Sequence, residues 1–102
     1  MSLRKELFRL LTEKVPPGRV TTYGDLARAL NTRAYRAIGA ILKSNPNIPT
    51  IPCHRVVKSN GSIGGYVHGT EAKIKRLEGE GVIIRDNKLV NFQGIRVTDF
   101  NI

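Results

Sequence analysis

The chain has 102 residues, with 17 Lys or Arg against 8 Asp or Glu, a formal net charge of +9, and one cysteine, Cys53. That length allows one small core and no second, and a single cysteine excludes an internal disulfide or a Cys-based zinc cluster. No apolar run approaches the roughly 18 residues of a membrane span, and the opening Met-Ser-Leu-Arg-Lys-Glu lacks a signal-peptide apolar region, so a soluble intracellular protein is expected, cytoplasmic or, in a eukaryote, nuclear.

Leu3, Leu7, Leu10 and Leu11 recur at helical spacing with charged residues between them, which predicts an amphipathic helix over 3–14 that Pro16-Pro17-Gly18 stops. Thr22 and Asp25 stand at capping-box spacing ahead of a short helix over 23–30 with Leu26 and Leu30 inward, and Asn31-Thr32 is a turn. A third helix over 33–43 puts Ala34, Ile38, Ile41 and Leu42 on one face. Arg33, Arg36 and Lys43 fall on the other, with the small Ala40 between them.

Asn45-Pro46 ends that helix, and Pro46, Pro49 and Pro52 predict a stiff, extended approach to Cys53. Residues 60–69 form a glycine-rich loop that matches neither a dinucleotide nor a P-loop pattern. Thr70 is placed to cap a helix through Leu77 with Ile74 and Leu77 inward and Gly79 as its stop. Segments 82–85 and 88–91 flank Asp86-Asn87 as a small hairpin, and the tail from Gln93 carries no recognisable chemistry.

Two short helices joined by a tight turn, the second bearing a basic stripe, read as a helix-turn-helix. The charge agrees, because residues 1–60 hold 11 Lys/Arg against 3 Asp/Glu while residues 61–102 hold 6 against 5. A positive field concentrated in the half that contains the helix pair is the footprint of a nucleic-acid binder. The fold expected is α+β and mainly helical, a winged-helix-like helix-turn-helix domain with a small C-terminal β-hairpin.

The chemistry centres on Ile51-Pro52-Cys53-His54-Arg55-Val56-Val57. A thiolate is the reactive form of cysteine, and a neighbouring base or cation favours it. His54 is a candidate base, although neighbours in an extended segment point to opposite sides, so it would need a turn or a bridging water to reach the sulfur. The plain alternative is a buried cysteine acting as a small hydrophobe.

This stretch resembles the Pro-Cys-His-Arg-Val active-site signature of the O6-alkylguanine-DNA alkyltransferases. The likeness extends in order through Gly18-Arg19-Val20-Thr21-Thr22-Tyr23, Ala34-Tyr35-Arg36-Ala37-Ile38-Gly39, Asn45-Pro46, Gly64-Gly65-Tyr66, and Lys73 with Leu77, Glu80 and Gly81. The resemblance implies a partner, double-stranded DNA entered through its minor groove, from which an O6-alkylguanine is rotated out of the stack. It implies that Arg36 fills the gap, that Tyr23 pushes the 3′ phosphate and bonds the extruded base, and that Thr22, Arg33, Ala40 and Lys43 belong to the DNA-binding set. Cys53 would take the alkyl group with His54 as base through a water, Glu80 orienting it and Asn45 bracing the turn. Tyr23, Tyr66, Val67, Ile63 and Ser59 would line the substrate pocket.

No cofactor and no metal are implied, and with no second thiol each molecule would act once, as a monomer. Two departures are visible. Residues 1–102 would form a single domain lacking the family's N-terminal domain, which leaves room for a partner protein in its place. Val67-His68 stands where some members have Ser-Gly, so no serine hydroxyl is available to guanine O6. Three other readings remain at this point: an alkyltransferase-like lesion sensor that binds without transfer, a basic helix-turn-helix module with an inert cysteine, and a Cys-His hydrolase for which no oxyanion device is assignable.

Overall fold

The structure, a computed structural model, describes residues 2–45 and 50–100. Helix α1 (Leu3–Lys14) starts where Ser2 Oγ accepts from Lys5 N, and it buries Leu7, Leu10 and Leu11. The short strand β1 (Thr21–Thr22) leads directly into α2 (Tyr23–Ala29). Asn31 turns the chain with φ 54°, a left-handed conformation that asparagine tolerates, and α3 (Tyr35–Lys43) follows with Ile38 and Leu42 buried. Together α2 and α3 form the helix-turn-helix.

After a 3₁₀ turn over Cys53–Arg55, strand β2 (Val56–Val57) pairs in parallel with β1, Thr21 opposite Val56 and Thr22 opposite Val57. Adjacent strand residues point to opposite faces, so this pair separates two cores, which corrects the single core expected from the length. Val56 joins the first with Leu7, Leu10, Leu26, Ile38, Leu42 and Cys53, whereas Val57 joins the second with Val20, Ile63, Leu77, Val82, Leu89 and Phe92. Helix α4 (Thr70–Gly79) and the hairpin β3 (Ile84–Arg85) and β4 (Lys88–Leu89) cover the second core. The hairpin turns on Asp86 (φ 50°) and Asn87 (φ 61°), the pair of positive angles that a tight two-residue connection requires.

Several expectations need correction. The third helix begins at Tyr35, so Arg33 precedes it, and Ala34 at its N-cap is exposed and not inward. The capping box is half made: Thr22 Oγ1 accepts from Asp25 N, but the Asp25 carboxylate turns away to Arg28 and Arg96. Gly69, not Thr70, is the N-cap of α4, with φ 92° that disfavours a side chain. The hairpin strands are shorter than expected. The stiff approach expected at Pro46 and Pro49 lies outside the described residues.

The tail has a structural function that the sequence did not disclose. Helix α5 (Phe92–Ile95) carries it back to β1, where Val20 N donates to Ile95 O, Val97 N to Val20 O and Thr21 Oγ1 to Val97 O. Arg96 then binds Asp25 at 2.8 and 3.0 Å, and Val97 and Phe100 enter the first core. Among the described residues, no helix is long and apolar enough to cross a membrane.

Candidate active site

Cys53 opens the 3₁₀ turn and is 7% exposed. The turn, absent from the extended reading, is held by Cys53 N donating to Ile51 O and Arg55 N to Pro52 O, and Asn45 Nδ2 braces its approach by donating to Ile51 O at 2.7 Å. The cysteine borders a cavity of about 440 Å³ that is also lined by Tyr23, Gly39, Leu42, Lys43, Gly65, Tyr66 and Val67. This volume lies within the range of small-molecule sites.

Behind the cysteine, His54 is 2% exposed, with Nε2 3.0 Å from Glu80 Oε2. Arg55 grips the same carboxylate, Nε donating at 3.0 Å and a terminal nitrogen at 2.6 Å, while its other terminal nitrogen donates to Val15 O. Burial alone would raise the Glu80 carboxyl, but the bonds from Arg55 and His54 outweigh it and hold the group below the usual carboxylate range. An ionised carboxylate only accepts, so Nε2 carries the imidazole proton. Nδ1 is then an acceptor, and it is buried with no hydrogen-bond partner among the described residues. Burial, opposed by Glu80, pushes the His54 pKa down and keeps the ring neutral near physiological pH.

Glu80 is carried by the turn after α4, where Gly81 has φ 92°. Gly18 packs against that turn at φ 89°, and a Cβ there would lie 3.3 Å from the Glu80 carbonyl oxygen. The positive φ favours glycine there, and a Cβ would in addition crowd that oxygen.

Lys73 was noted in the sequence only as a matching position, yet it is fully buried. Its Nζ donates to Val56 O at 2.7 Å and to Gly65 O at 3.0 Å, tying β2 to the loop that walls the cavity. Desolvation lowers its pKa to about 8. A signal was present: Lys73 stands four residues before the inward Leu77, on the same stripe of α4.

Among the other candidate residues, Tyr23, Tyr66 and Val67 line the cavity with Cys53. Arg33, Arg36 and Ala40 are exposed around α3, and Lys43, expected only on the DNA face, lines the cavity as well. Ser59 lies in a neighbouring groove with Gly24, Tyr35, Lys58 and Asn60, and Tyr23 stands between the two spaces. Ile63 is packed in the second core and does not line the Cys53 cavity. Thr22 has no exposed surface and uses its hydroxyl to cap α2, so its side chain is not part of the DNA-facing surface.

The family model for the 6-O-methylguanine DNA methyltransferase DNA-binding domain matches residues 3–82. The chain belongs to this family. It is 51% identical over 78 residues to the methylated-DNA–protein-cysteine methyltransferase of Thermococcus kodakarensis, covering 76% of this chain and 44% of the relative. In structure it is similar to the O6-methylguanine-DNA methyltransferase of Pyrococcus kodakaraensis strain KOD1, at a TM-score of 0.74 and 49% identity, covering 80% of this chain and 47% of that one. It is also similar to S. pombe Atl1 in complex with damaged DNA containing O6-carboxymethylguanine, at a TM-score of 0.81 and 26% identity, covering 95% of each chain. The chain spans less than half the length of the methyltransferase relatives it matches.

Proposed function

We propose that this chain repairs DNA by moving an alkyl group from guanine O6 to Cys53 Sγ, once per molecule. The observation that carries the reading is the juxtaposition of a cysteine on a base-sized cavity with a buried imidazole whose Nε2 is engaged by Glu80 and whose Nδ1 is free to accept.

The O6 substituent lies inside the duplex, so the damaged nucleotide must leave the stack before a thiol can reach it, at a cost of a few kcal/mol. The positive face of α3 brings the phosphates near, and exposed Arg36 is placed to occupy the vacated space. Tyr23 and Tyr66 border the base. His54 Nδ1 takes the thiol proton through a water, and the thiolate attacks the alkyl carbon in line. The sulfur–carbon bond forms, the carbon–O6 bond breaks, and the electron pair leaves with guanine, which ends by taking up one proton.

Nothing else is consumed, and the product thioether has no second thiol in the chain to relieve it. The neutral His54 and ionised Glu80 suit this proton transfer, because the ring is ready to accept and the resulting imidazolium is met by an anion. The near-complete overlap with the damaged-DNA complex of Atl1 favours lesion binding by this chain as it stands. Cys53 and its relay favour transfer in addition.

The test is intact-mass and peptide mass spectrometry after mixing with duplex DNA that contains one O6-methylguanine. A gain of one methylene on the Cys53 peptide, saturating at one per molecule, is the expected result. Tight binding without a mass change would make the protein a sensor.

A further inference from the structure

The cavity beside Cys53 has an uneven electrostatic character. Gly39, Leu42, Gly65 and Val67 bring no charge, and Tyr23 and Tyr66 are held in their neutral forms because burial raises both phenols. Lys43 is the one formally charged side chain lining the cavity among the described residues, and no carboxylate lines it. It belongs to the last turn of α3 and makes no ion pair among those residues, unlike Arg9, Arg28, Arg55 and Arg96. The nearby Lys73 ammonium is already committed to two carbonyls.

Space is also available. Gly39 and Gly65 both line the cavity, and a Cβ at either would meet nothing within 4 Å. Val67 offers no hydroxyl that would hold a polar substituent elsewhere.

We propose that Lys43 is a specificity-determining residue that admits O6 substituents carrying a negative charge, a carboxyalkyl group being the class it fits. This inference rests on the alkyl-transfer reading above. A carboxylate next to the reacting carbon repels an incoming thiolate at close range, and Lys43 is an exposed side chain on the wall of the cavity. An ammonium in the same cavity offsets it and attracts the substituent into place. The reaction balances as it does for methyl: the sulfur–carbon bond forms, the carbon–O6 bond breaks, the electron pair leaves with guanine and the thiol proton ends there. The carboxylate passes through unchanged, leaving S-carboxymethylcysteine at position 53.

Two duplexes identical except for O6-methylguanine or O6-carboxymethylguanine serve as probes, and single-turnover transfer rates are measured with wild type, Lys43→Met, Lys43→Arg and Lys43→Glu. Both duplexes carry the same phosphates, so the rate ratio of carboxymethyl to methyl cancels whatever Lys43 contributes to general DNA attraction. The ratio is expected to fall about tenfold in Lys43→Met, further in Lys43→Glu, and to be kept in Lys43→Arg. The Cys53 peptide of the wild type should gain one carboxymethyl group in place of a hydrogen. An unchanged ratio in Lys43→Met and Lys43→Glu overturns the proposal, as does a wild type that transfers methyl but not carboxymethyl. Failure to transfer methyl itself overturns the alkyl-transfer reading, and this inference with it.

Discussion

Replacing Glu80 by Gln removes one negative charge and little volume from the point where His54 and Arg55 converge. The Arg55 and Glu80 side chains are only 12% and 17% exposed, so the variant leaves a mostly desolvated guanidinium without its anion. Breaking a buried pair in this way costs about 3–5 kcal/mol. The glutamine oxygen can still accept one bond and some water reaches the pair, so the expected loss is about 2–3 kcal/mol. For a chain of this size that is a melting point lower by about 10–20 °C.

The pH dependence gives the sharper test. Because the folded carboxyl titrates below its ordinary value of 4.5, its stabilisation is complete above that value and disappears as pH falls through the folded pKa. The gap between wild type and Glu80→Gln in denaturant titrations should therefore be full at neutral pH and close in acid. Single-turnover methyl transfer should slow by about a hundredfold, since the imidazole loses the anion that fixes its tautomer and meets its charge. A variant as stable as wild type at neutral pH, or a gap of equal size in acid, would refute the reasoning about the pair. An unchanged rate would refute the relay.

Arg36→Ala should leave stability within about 0.5 kcal/mol because the side chain is exposed, while lesion-duplex affinity by fluorescence anisotropy and the transfer rate both fall; a large thermal loss would contradict its placement. Lys73 couples stability and activity in opposite directions. Its folded pKa of about 8 lies below the ordinary 10.5, so the unfolded chain binds more protons between those values and stability rises with pH across that window. The transfer rate should fall above about pH 8 as the charge beside Cys53 is lost, and Lys73→Met should flatten the stability rise. Phe100→Ala, at a site 3% exposed in the first core, should cost about 3–5 kcal/mol in denaturant titrations.

The helices were legible because their signals are local. The leucine spacing of α1, the Pro16-Pro17-Gly18 stop and the Asp86-Asn87 turn each state a conformation without reference to the rest of the chain. The cysteine motif was equally plain, as was its link to Glu80 once the family likeness was drawn. What stayed hidden was long-range. Val56-Val57 is too short to declare itself a strand, and only the folded chain brings it beside Thr21-Thr22. Asp25 was read as half of a capping box because its partner Arg96 lies 71 residues away. Ile63 and Ser59 stand in the right stretch for the pocket, but one turns into the second core and the other into a neighbouring groove, directions set by how the glycine-rich loop folds.

The return of the tail to β1 has a kinetic consequence. Val20 pairs with residues 95–97, so about three-quarters of the chain must close into a loop before the strand preceding Tyr23 is fastened. Contacts of such separation form late, because the entropy of closure is lost before any bond compensates it. During synthesis the helix-turn-helix and the cysteine loop emerge well ahead of Arg96, Val97 and Phe100. A nascent chain thus carries Cys53 for some time before Asp25 and Thr21 are anchored. The strand that leads into Tyr23, a wall of the Cys53 cavity, is thus among the last parts of the fold to be fastened.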